Sequence, residues 1–449
     1  MYVNYSTRLL PALVAVVFSG GAAASGFQLQ NQTGAGNGNA FAGAAAAAED
    51  AGTVMWNPAG MTALPEGHNI ALAATMLSRS IDFSNRGSTA ATTPLGVIAP
   101  LASTADGGDA GGVSLVPAGY WTYTLSPAWR VGIGVSPTFG NVTEYNFDFV
   151  GRNAGYFADM KQININPSVA YKFNEAVSLG FGLNFAHNET QFKQGYPVTA
   201  APNVAACAPL PTCALLNSAN NFVHIKGDGW GTGWNAGILL RLSPATRLAV
   251  TYRSEIEFDL KGDWDVNVPV AGGAVFGDQS IKAKLKTPAN ASLAIAHQLN
   301  DRWEVLGDIG WTDWSVVDVL TLKNRATGAT VAALGYNFKD TWRVGLGANY
   351  QYNDAWKLRF GIAHDKSPVK SAADRTMTLP DSDRTWLSIG ARYRIAKEHS
   401  VDVGYTHIFF ADAKTERAVT SATLGTLQTV RGDWNNSVDI LSFQYNRSF

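Results

Sequence analysis

Hydrophobic and polar residues alternate with a period of two along much of the chain after about residue 68. In residues 177–186 a hydrophobic residue occupies every odd position from Val177 to Phe185, and small or polar residues occupy the even positions. Residues 356–364 and 387–395 repeat the pattern. Successive side chains of a β-strand point to opposite faces. The pattern therefore predicts strands with one face in an apolar medium and the other against polar groups or water.

Fourteen such strands are predicted, and the connections between them alternate between short and long. The predicted strands are 69–83, 116–125, 128–139, 162–174, 177–192, 223–242, 246–261, 280–299, 302–314, 338–352, 355–365, 385–396, 399–411 and 436–449. Short turns at one end and long loops at the other are typical of an outer-membrane β-barrel. A soluble β-sandwich also alternates, but it has no reason to sort its loops by length. The sequence therefore predicts an all-β fold, a transmembrane 14-stranded antiparallel β-barrel.

Composition agrees with a barrel and excludes several other classes. Charged residues make up 15% of the 449 residues, against roughly 25% in soluble domains. After the N-terminus no run of about 18 apolar residues occurs, which excludes spanning helices. The net charge of −1 offers no basic surface for nucleic acid.

The first 67 residues differ from the rest and predict two further segments. An apolar stretch from Leu9 to Phe18 follows Arg8 and precedes small residues, as in a secretory signal peptide. A membrane anchor is the alternative, but the stretch is too short to span about 30 Å of hydrocarbon. We expect a signal peptide at 1–24, an N-terminal plug or hatch at 25–67, which is rich in Gly, Ala and Asn, and the barrel at 68–449.

Several motifs, taken in order along the chain, resemble the FadL family of outer-membrane transporters for hydrophobic compounds, which includes long-chain fatty acid and aromatic hydrocarbon channels. The motifs are Gly26-Phe27-Gln28-Leu29, Ala40-Phe41-Ala42-Gly43, Asn57-Pro58-Ala59-Gly60-Met61, Asn166-Pro167-Ser168, Asp313-Trp314-Ser315 and Leu379-Pro380-Asp381-Ser382-Asp383-Arg384. The resemblance implies a barrel blocked by the hatch, in the bacterial outer membrane, that works as a monomer. It also implies passive uptake of a hydrophobic small molecule, which leaves sideways into outer-membrane lipid through a gap in the wall.

The resemblance places that lateral opening at an inward kink of the third strand. Pro137 and Gly140 are the candidates, since proline removes a ladder donor and glycine tolerates a bend. The alternative is that Pro137 only ends the strand near a loop. The hatch motif Asn57, Pro58, Ala59 and Gly60 is the other predicted functional segment, and it could equally be an ordinary turn.

Candidate substrate-binding residues come from the hatch and from the lumen face of the strands. Phe27 and Leu29 are expected to line the pocket or to pack within it. Basic residues at lumen positions could hold a carboxylate head group, or they could pair with lumen acids and plug carbonyls. These cations are Arg253, Lys357, Arg359, Arg392 and Arg394. By resemblance, a capture groove is expected in the loops 193–222 and 263–279.

Motifs for catalysis, cofactors and metals are not found in the sequence. It has no G-x-S-x-G elbow, no P-loop and no H-E-x-x-H spacing, so we expect neither an enzyme nor a cofactor. Cys207 and Cys213 are candidates for a disulfide, which is favoured over a metal site in an exported protein. Long-chain fatty acids are the favoured substrates. Uptake of aromatic hydrocarbons or alkanes, a general porin for polar solutes, a barrel lipase and an adhesin-like barrel are the alternatives.

Overall fold

The computed structural model describes residues 26–90, 92–93, 96–97, 103–195, 221–267, 278–421 and 425–449. The predicted signal peptide and the candidate disulfide, Cys207 and Cys213, lie outside these residues. Among the described residues, no helix is long and apolar enough to cross a membrane.

The described strands form one closed antiparallel barrel of fourteen strands, as the sequence predicted. The barrel closes because β1 pairs on one side with β2 and on the other with β14. The strands are β1 (His68–Asn85), β2 (Gly112–Thr124), β3 (Trp129–Glu144), β4 (Phe157–Lys172), β5 (Val177–Gly195), β6 (Phe222–Ser243), β7 (Thr246–Arg253 and Ile256–Asn267), β8 (Gln279–Thr287 and Asn290–Gln298), β9 (Trp303–Thr312 and Val319–Asn324), β10 (Thr330–Gly335 and Thr341–Gln351), β11 (Trp356–Asp365), β12 (Arg384–Ala396), β13 (His399–Phe410 and Ala413–Ser421) and β14 (Gly425–Ser448). Three short strands, Thr89–Ala90, Thr92–Thr93 and Gly96–Val97, lie in the connection from β1 to β2.

Several predicted strand boundaries are wrong, mostly on the long-loop side. β14 begins at Gly425 and not at 436, and the hairpin of Val319–Asn324 and Thr330–Gly335 occupies a stretch predicted as loop. The predicted strand 280–299 is interrupted after Thr287, where Pro288 has no N–H to give to a ladder. The extensions were missed because strands that continue beyond the membrane no longer need an apolar outer face.

The outer surface carries an apolar band bordered by aromatic rings. On β5, Leu179 and Phe181 are exposed, while Asn184 faces the lumen and is fully buried. On the short-turn side, tryptophan and tyrosine rings on neighbouring strands contact one another. The ring centroids of Trp129 and Tyr171 lie 4.7 Å apart, those of Trp303 and Tyr350 4.6 Å, and those of Trp356 and Tyr393 4.7 Å. An apolar band with an aromatic girdle is the surface of a barrel that sits in lipid.

The N-terminal residues 26–67, here called the hatch, lie inside the barrel. Their helices are α1 (Gly34–Gly38), α2 (Ala44–Ala47), α3 (Thr53–Trp56) and a 3-10 turn at Pro58–Ala63. Such short helices satisfy few of their own backbone groups, so the hatch bonds to the wall instead. Asn37 Nδ2 donates to the Gly404 carbonyl at 2.9 Å, and Asn39 Nδ2 donates to the Ala348 carbonyl at 3.2 Å.

Candidate functional site

The motif at residues 57–60 fixes the hatch to itself and to the wall. Asn57 Oδ1 accepts the Ala59 N–H at 3.0 Å, which caps the 3-10 turn that Pro58 begins. Its Nδ2 donates at 3.0 Å to the Ala45 carbonyl in α2 and at 3.2 Å to the Ile238 carbonyl in β6. Asn57 is fully buried. One side chain therefore joins a turn, a helix and a barrel strand.

Two glycines in the wall make room for this motif. Gly180 of β5 and Gly237 of β6 lie opposite each other in the ladder. A Cβ on Gly180 would overlap the Ala59 nitrogen, and a Cβ on Gly237 would overlap Asn57 Oδ1. The hatch backbone therefore approaches the wall more closely than a larger residue would permit.

A buried ion network joins the end of α2 to the wall. Glu49 accepts from Arg359 at 2.6 Å and lies 3.5 Å from the ammonium of Lys357 and from Arg392. Arg359 also reaches Asp402 at 3.0 Å, and both are almost fully buried. Burial disfavours the Glu49 carboxylate, but the charges of Arg359, Lys357 and Arg392 together outweigh burial and hold the pKa of Glu49 well below its usual range. Three predicted head-group cations are thus engaged by acids of the hatch and wall.

The wall is broken between β2 and β3. Their ladder has six residue pairs, from Thr124–Arg130 near the short turn up to Gly119–Val135. From there β3 keeps its ladder only with β4, as far as Glu144, with a bulge between Pro137 and Phe139. The wall break is defined as the stretch between residues 112–118 of β2 and 136–144 of β3. Since β3 continues to Glu144, Pro137 does not end the strand.

The first residues of the hatch take the place of β2 along this part of β3. Leu29 N donates to the Thr138 carbonyl at 2.9 Å, and Gly140 N donates to the Phe27 carbonyl at 2.8 Å. Gln28 forms a bridge with Phe139. β3 therefore bends into the lumen far enough to pair with the hatch.

An apolar cavity lies on the long-loop side of Phe27 and is here called the loop-side cavity. It measures about 870 Å³ including its open mouth. Its wall is contributed mainly by β4 to β9, and its apolar lining includes Phe192, Ile225, Leu260, Ile281, Leu285 and Leu322.

A second, more polar space is here called the hatch-side cavity. It measures about 1020 Å³ including open space, and its lining includes Leu29, Phe139, Asn235, Thr251, Arg253 and Arg343. Arg253 donates to Asn184 and, at 2.8 Å, to the Met55 carbonyl of the hatch.

Three aromatic rings stand where the two cavities meet. Phe27 lies 4.9 Å from Trp314 and 5.8 Å from Phe139, centroid to centroid. Gly26, at φ +61°, packs so closely on Trp314 that a Cβ would overlap the indole ring. Gly26 N donates to Asp381 at 3.2 Å, so the start of the hatch is held at this point.

The structure thus brings some of the predicted site residues together and separates others. The wall break brings together Pro137, Gly140, Phe27 and Leu29. The ion network contains Lys357, Arg359 and Arg392. Arg394 is exposed near a short turn. Most of the predicted capture groove, at 196–220 and 268–277, falls outside the described residues.

Sequence reasoning assigned no individual role to Glu49, Asp402, Arg79 or Trp314, although Trp314 lies in one of the family motifs. Glu49 lies between Ala48 and Asp50 and Asp402 lies between two valines, and only their ion-pair partners on other elements reveal a role. Among the described residues, no three His, Cys, Asp or Glu side chains are grouped so as to hold a metal ion.

Comparisons with known proteins agree with this architecture. The model of the family described as "Outer membrane protein transport protein (OMPP1/FadL/TodX)" matches residues 15–449. A long-chain fatty acid transport protein of Salmonella typhi is 32% identical over 416 residues, which cover 90% of this chain and 91% of that protein.

Solved structures resemble the whole chain. A FadL homologue of Pseudomonas aeruginosa gives a TM-score of 0.84 at 23% identity, covering 95% of this chain and 100% of that chain. The toluene transporter TbuX of Ralstonia pickettii gives 0.65 at 18% identity, covering 94% of this chain and 99% of that chain. At these identities the likeness concerns the fold.

Proposed function

Because the chain belongs to the outer-membrane transport protein family of FadL and TodX, and is thus an outer-membrane protein, we propose that it is a channel for passive uptake of hydrophobic small molecules. Its main substrates in this proposal are long-chain fatty acids. The observation that carries the proposal is the wall break between β2 and β3, which lies beside interior cavities in a barrel whose lumen the hatch fills.

The route begins in the loop-side cavity, whose apolar lining removes a hydrocarbon chain from water at about 25 cal/mol per Å² buried. The substrate then passes the rings of Phe27, Phe139 and Trp314. It leaves through the wall break into the apolar band of the outer surface, so it does not cross the water on the far side of the hatch. No energy source is needed, since the substrate moves down its own gradient.

The hatch motif keeps this route lateral. Asn57 and the ion network around Glu49 attach the hatch to β6, β11 and β13, on the side of the lumen away from the wall break. Movement of the hatch as a whole would break buried ion pairs, whereas the short bridge from Phe27 to Leu29 can separate from β3 at the cost of a few hydrogen bonds. The proposal therefore makes residues 26–29 the moving part and residues 34–63 the fixed part.

Fatty acids are favoured over small hydrocarbons by two observations. The Salmonella typhi relative, 32% identical, is named as a long-chain fatty acid transport protein. The apolar lining of the loop-side cavity is contributed by successive strands from β4 to β9, which suits an extended alkyl chain better than a single ring. Because the barrel closes on itself and its outer face is apolar, we also propose that one chain suffices and that its outer contacts are with lipid.

The test is uptake of radiolabelled oleate and toluene by cells that lack their own transporter, with and without this chain. Cells that carry the empty plasmid provide the background. Faster oleate uptake with the chain supports the proposal, and faster uptake of toluene alone would change the substrate class. Ion conductance without any hydrophobic uptake would contradict the proposal and would indicate a porin.

A further inference from the structure

Arg79, on the lumen face of β1, extends across the inner side of β2 to the wall break. It is 5% exposed. Its guanidinium donates at 3.1 Å to Ser114 Oγ of β2 and also donates to the Val142 carbonyl of β3. A single side chain therefore contacts both borders of the break.

The charge of Arg79 is not neutralised by an acid. Every aspartate and glutamate of the chain lies among the described residues, and none has a carboxylate oxygen within 4.0 Å of the Arg79 guanidinium. The two acids whose charges act on the Arg79 guanidinium are Asp109 and Asp159, and each of them has other partners. Asp109 accepts the N–H groups of Ile81 and Gly111, and Asp159 pairs with Lys161 at 2.8 Å.

Three other buried arginines that face the hatch and lumen pair with acids, whereas Arg253 donates to Asn184 and to the Met55 carbonyl. Arg343 pairs with Asp308 at 2.9 Å, Arg359 pairs with Glu49 and Asp402, and Arg384 pairs with Asp381. Burying a cation without an anion is costly, so such a group is expected where an anion arrives.

A space suited to an amphiphile adjoins this guanidinium. A cavity of about 410 Å³ is lined by Arg79 and Asn141 and by the apolar side chains of Leu379, Phe410 and Val438. Gly26, the first residue of the moving part of the hatch, lines it as well. The lining also includes Arg384 and Asp381, which pair with each other, so Arg79 is the cation of this recess that has no acid partner among the described residues. A guanidinium beside apolar side chains fits a carboxylate joined to a hydrocarbon chain, because guanidinium and carboxylate pair in a bidentate geometry.

We propose that Arg79 is a carboxylate-binding site at the wall break, where the acid head group of a substrate is held before the molecule leaves the barrel. This inference rests on the proposed function and adds a specificity element to it. The head group replaces the Val142 carbonyl or the Ser114 hydroxyl as acceptor, so substrate arrival loosens the contact that Arg79 makes across the break. Neutral hydrophobic molecules of the same length lack this interaction and cross without help from Arg79.

The experiment compares uptake of labelled oleate with uptake of labelled oleyl alcohol, in cells that express the full chain or its variants. Arg79→Gln removes the charge, and Arg79→Lys retains it. The matched control is Arg130→Gln, which removes another buried arginine that has no acid partner and that donates to the turn carbonyl of Ser126. We expect the ratio of oleate to alcohol uptake to fall about tenfold in Arg79→Gln, the loss of roughly one charge-assisted hydrogen bond. Arg79→Lys should recover part of the lost ratio, and Arg130→Gln should leave the ratio of oleate to alcohol uptake unchanged.

A second pair of variants keeps Arg79 in place, in case its replacement prevents folding. Ser114→Asp puts a carboxylate beside the guanidinium and should lower the same ratio, whereas Ser114→Asn should not. An unchanged ratio in both Arg79→Gln and Ser114→Asp, or equal loss of both substrates, would overturn the inference. These results are distinct from failure of the proposed function, in which the unmodified chain takes up neither compound.

Discussion

Glu49 is the residue whose removal tests how the hatch is held. Glu49→Gln keeps the shape of the side chain but leaves Lys357, Arg359 and Arg392 with less negative charge. We expect a loss of about 3 kcal/mol in the free energy of unfolding, the lower end of the cost of breaking a buried ion pair, because Asp402 still neutralises part of the cluster. Urea unfolding in detergent measures the loss, and hydrogen exchange at residues 34–63 locates it.

The control for this variant is Glu66→Gln, which removes an exposed carboxylate at the end of the hatch. It should change the free energy of unfolding by no more than about 0.5 kcal/mol. If the hydrogen-exchange rates of the hatch are the same in Glu49→Gln and in the unmodified chain, the ion network does not hold the hatch in place.

The same carboxyl makes attachment of the hatch depend on pH. The pKa of Glu49 is well below its usual range in the folded protein: burial opposes the carboxylate, but the charges of Arg359, Lys357 and Arg392 together overcome burial. Its stabilising effect is therefore complete above the unfolded pKa of about 4.3 and is lost as the pH falls towards the folded value. Burial raises the pKa of the adjacent Asp50, which acts in the opposite direction.

Hydrogen exchange of the hatch between pH 7 and pH 3 separates these two contributions. In the unmodified chain, exchange corrected for its intrinsic pH dependence should accelerate below about pH 4.3. Glu49→Gln should remove most of that acceleration. Acceleration of the same size in both proteins would assign the acid response to another group.

The bulge of β3 is the element that opens the wall. Thr138 is the extra residue, since Pro137 pairs with Ile163 and Phe139 pairs with the next residue along, Gln162. Deletion of Thr138 combined with Pro137→Val restores both the regular register and a ladder donor. We expect β3 to pair with β2 beyond Val135 and oleate uptake to fall to near background.

The control keeps the bulge and changes only its side chain. Thr138→Val removes the hydroxyl that accepts from Gln162 at 2.9 Å but leaves the extra residue in place. Its uptake should stay close to that of the unmodified chain. Full uptake by the deletion variant, with folding verified, would mean that substrate leaves by another route.

Sequence patterns predict the membrane-spanning parts of the strands better than their extensions. Alternation located β5 and β11 to within a few residues because lipid on one side and the lumen on the other impose a period of two. The breaks in β7 and β8 and the hairpin of β9 and β10 lie where that requirement ends. The kink at Pro137 could be suggested from the sequence, but not the strand exchange with Gln28, since pairing between distant segments is set by tertiary structure.

The candidate site was predictable only in part for the same reason. Lumen-facing cations such as Arg359 follow from alternation, but whether each one meets an acid depends on partners hundreds of residues away. Arg79 lies between two serines and Arg359 lies between Leu358 and Phe360, and neither pattern shows whether the cation meets an acid. Only the packed barrel distinguishes a cation that anchors the hatch from one that has no acid partner.

At the scale of the whole molecule, the hatch decides between a lateral channel and a water-filled pore. It joins the wall through the Asn57 bonds, the ion network and the bridge to β3, so the hatch lies in the path that ions would follow along the barrel axis. Deletion of residues 26–60 removes all three attachments and exposes the charged wall residues Arg359 and Asp402 to water. A lumen lined by charged groups is expected to conduct ions.

We therefore expect the intact chain in planar bilayers to give little ion conductance and the deletion variant to give a large, steady conductance. Oleate uptake should fall in the same variant, because the segment that pairs with β3 is gone and the loop-side cavity opens into water. Glu49→Gln is an informative intermediate: it loosens the hatch without removing it, so brief openings should appear on a low background. If the intact chain already conducts as well as the deletion variant, the hatch does not seal the lumen, and a porin for polar solutes would explain the barrel better than a lateral channel.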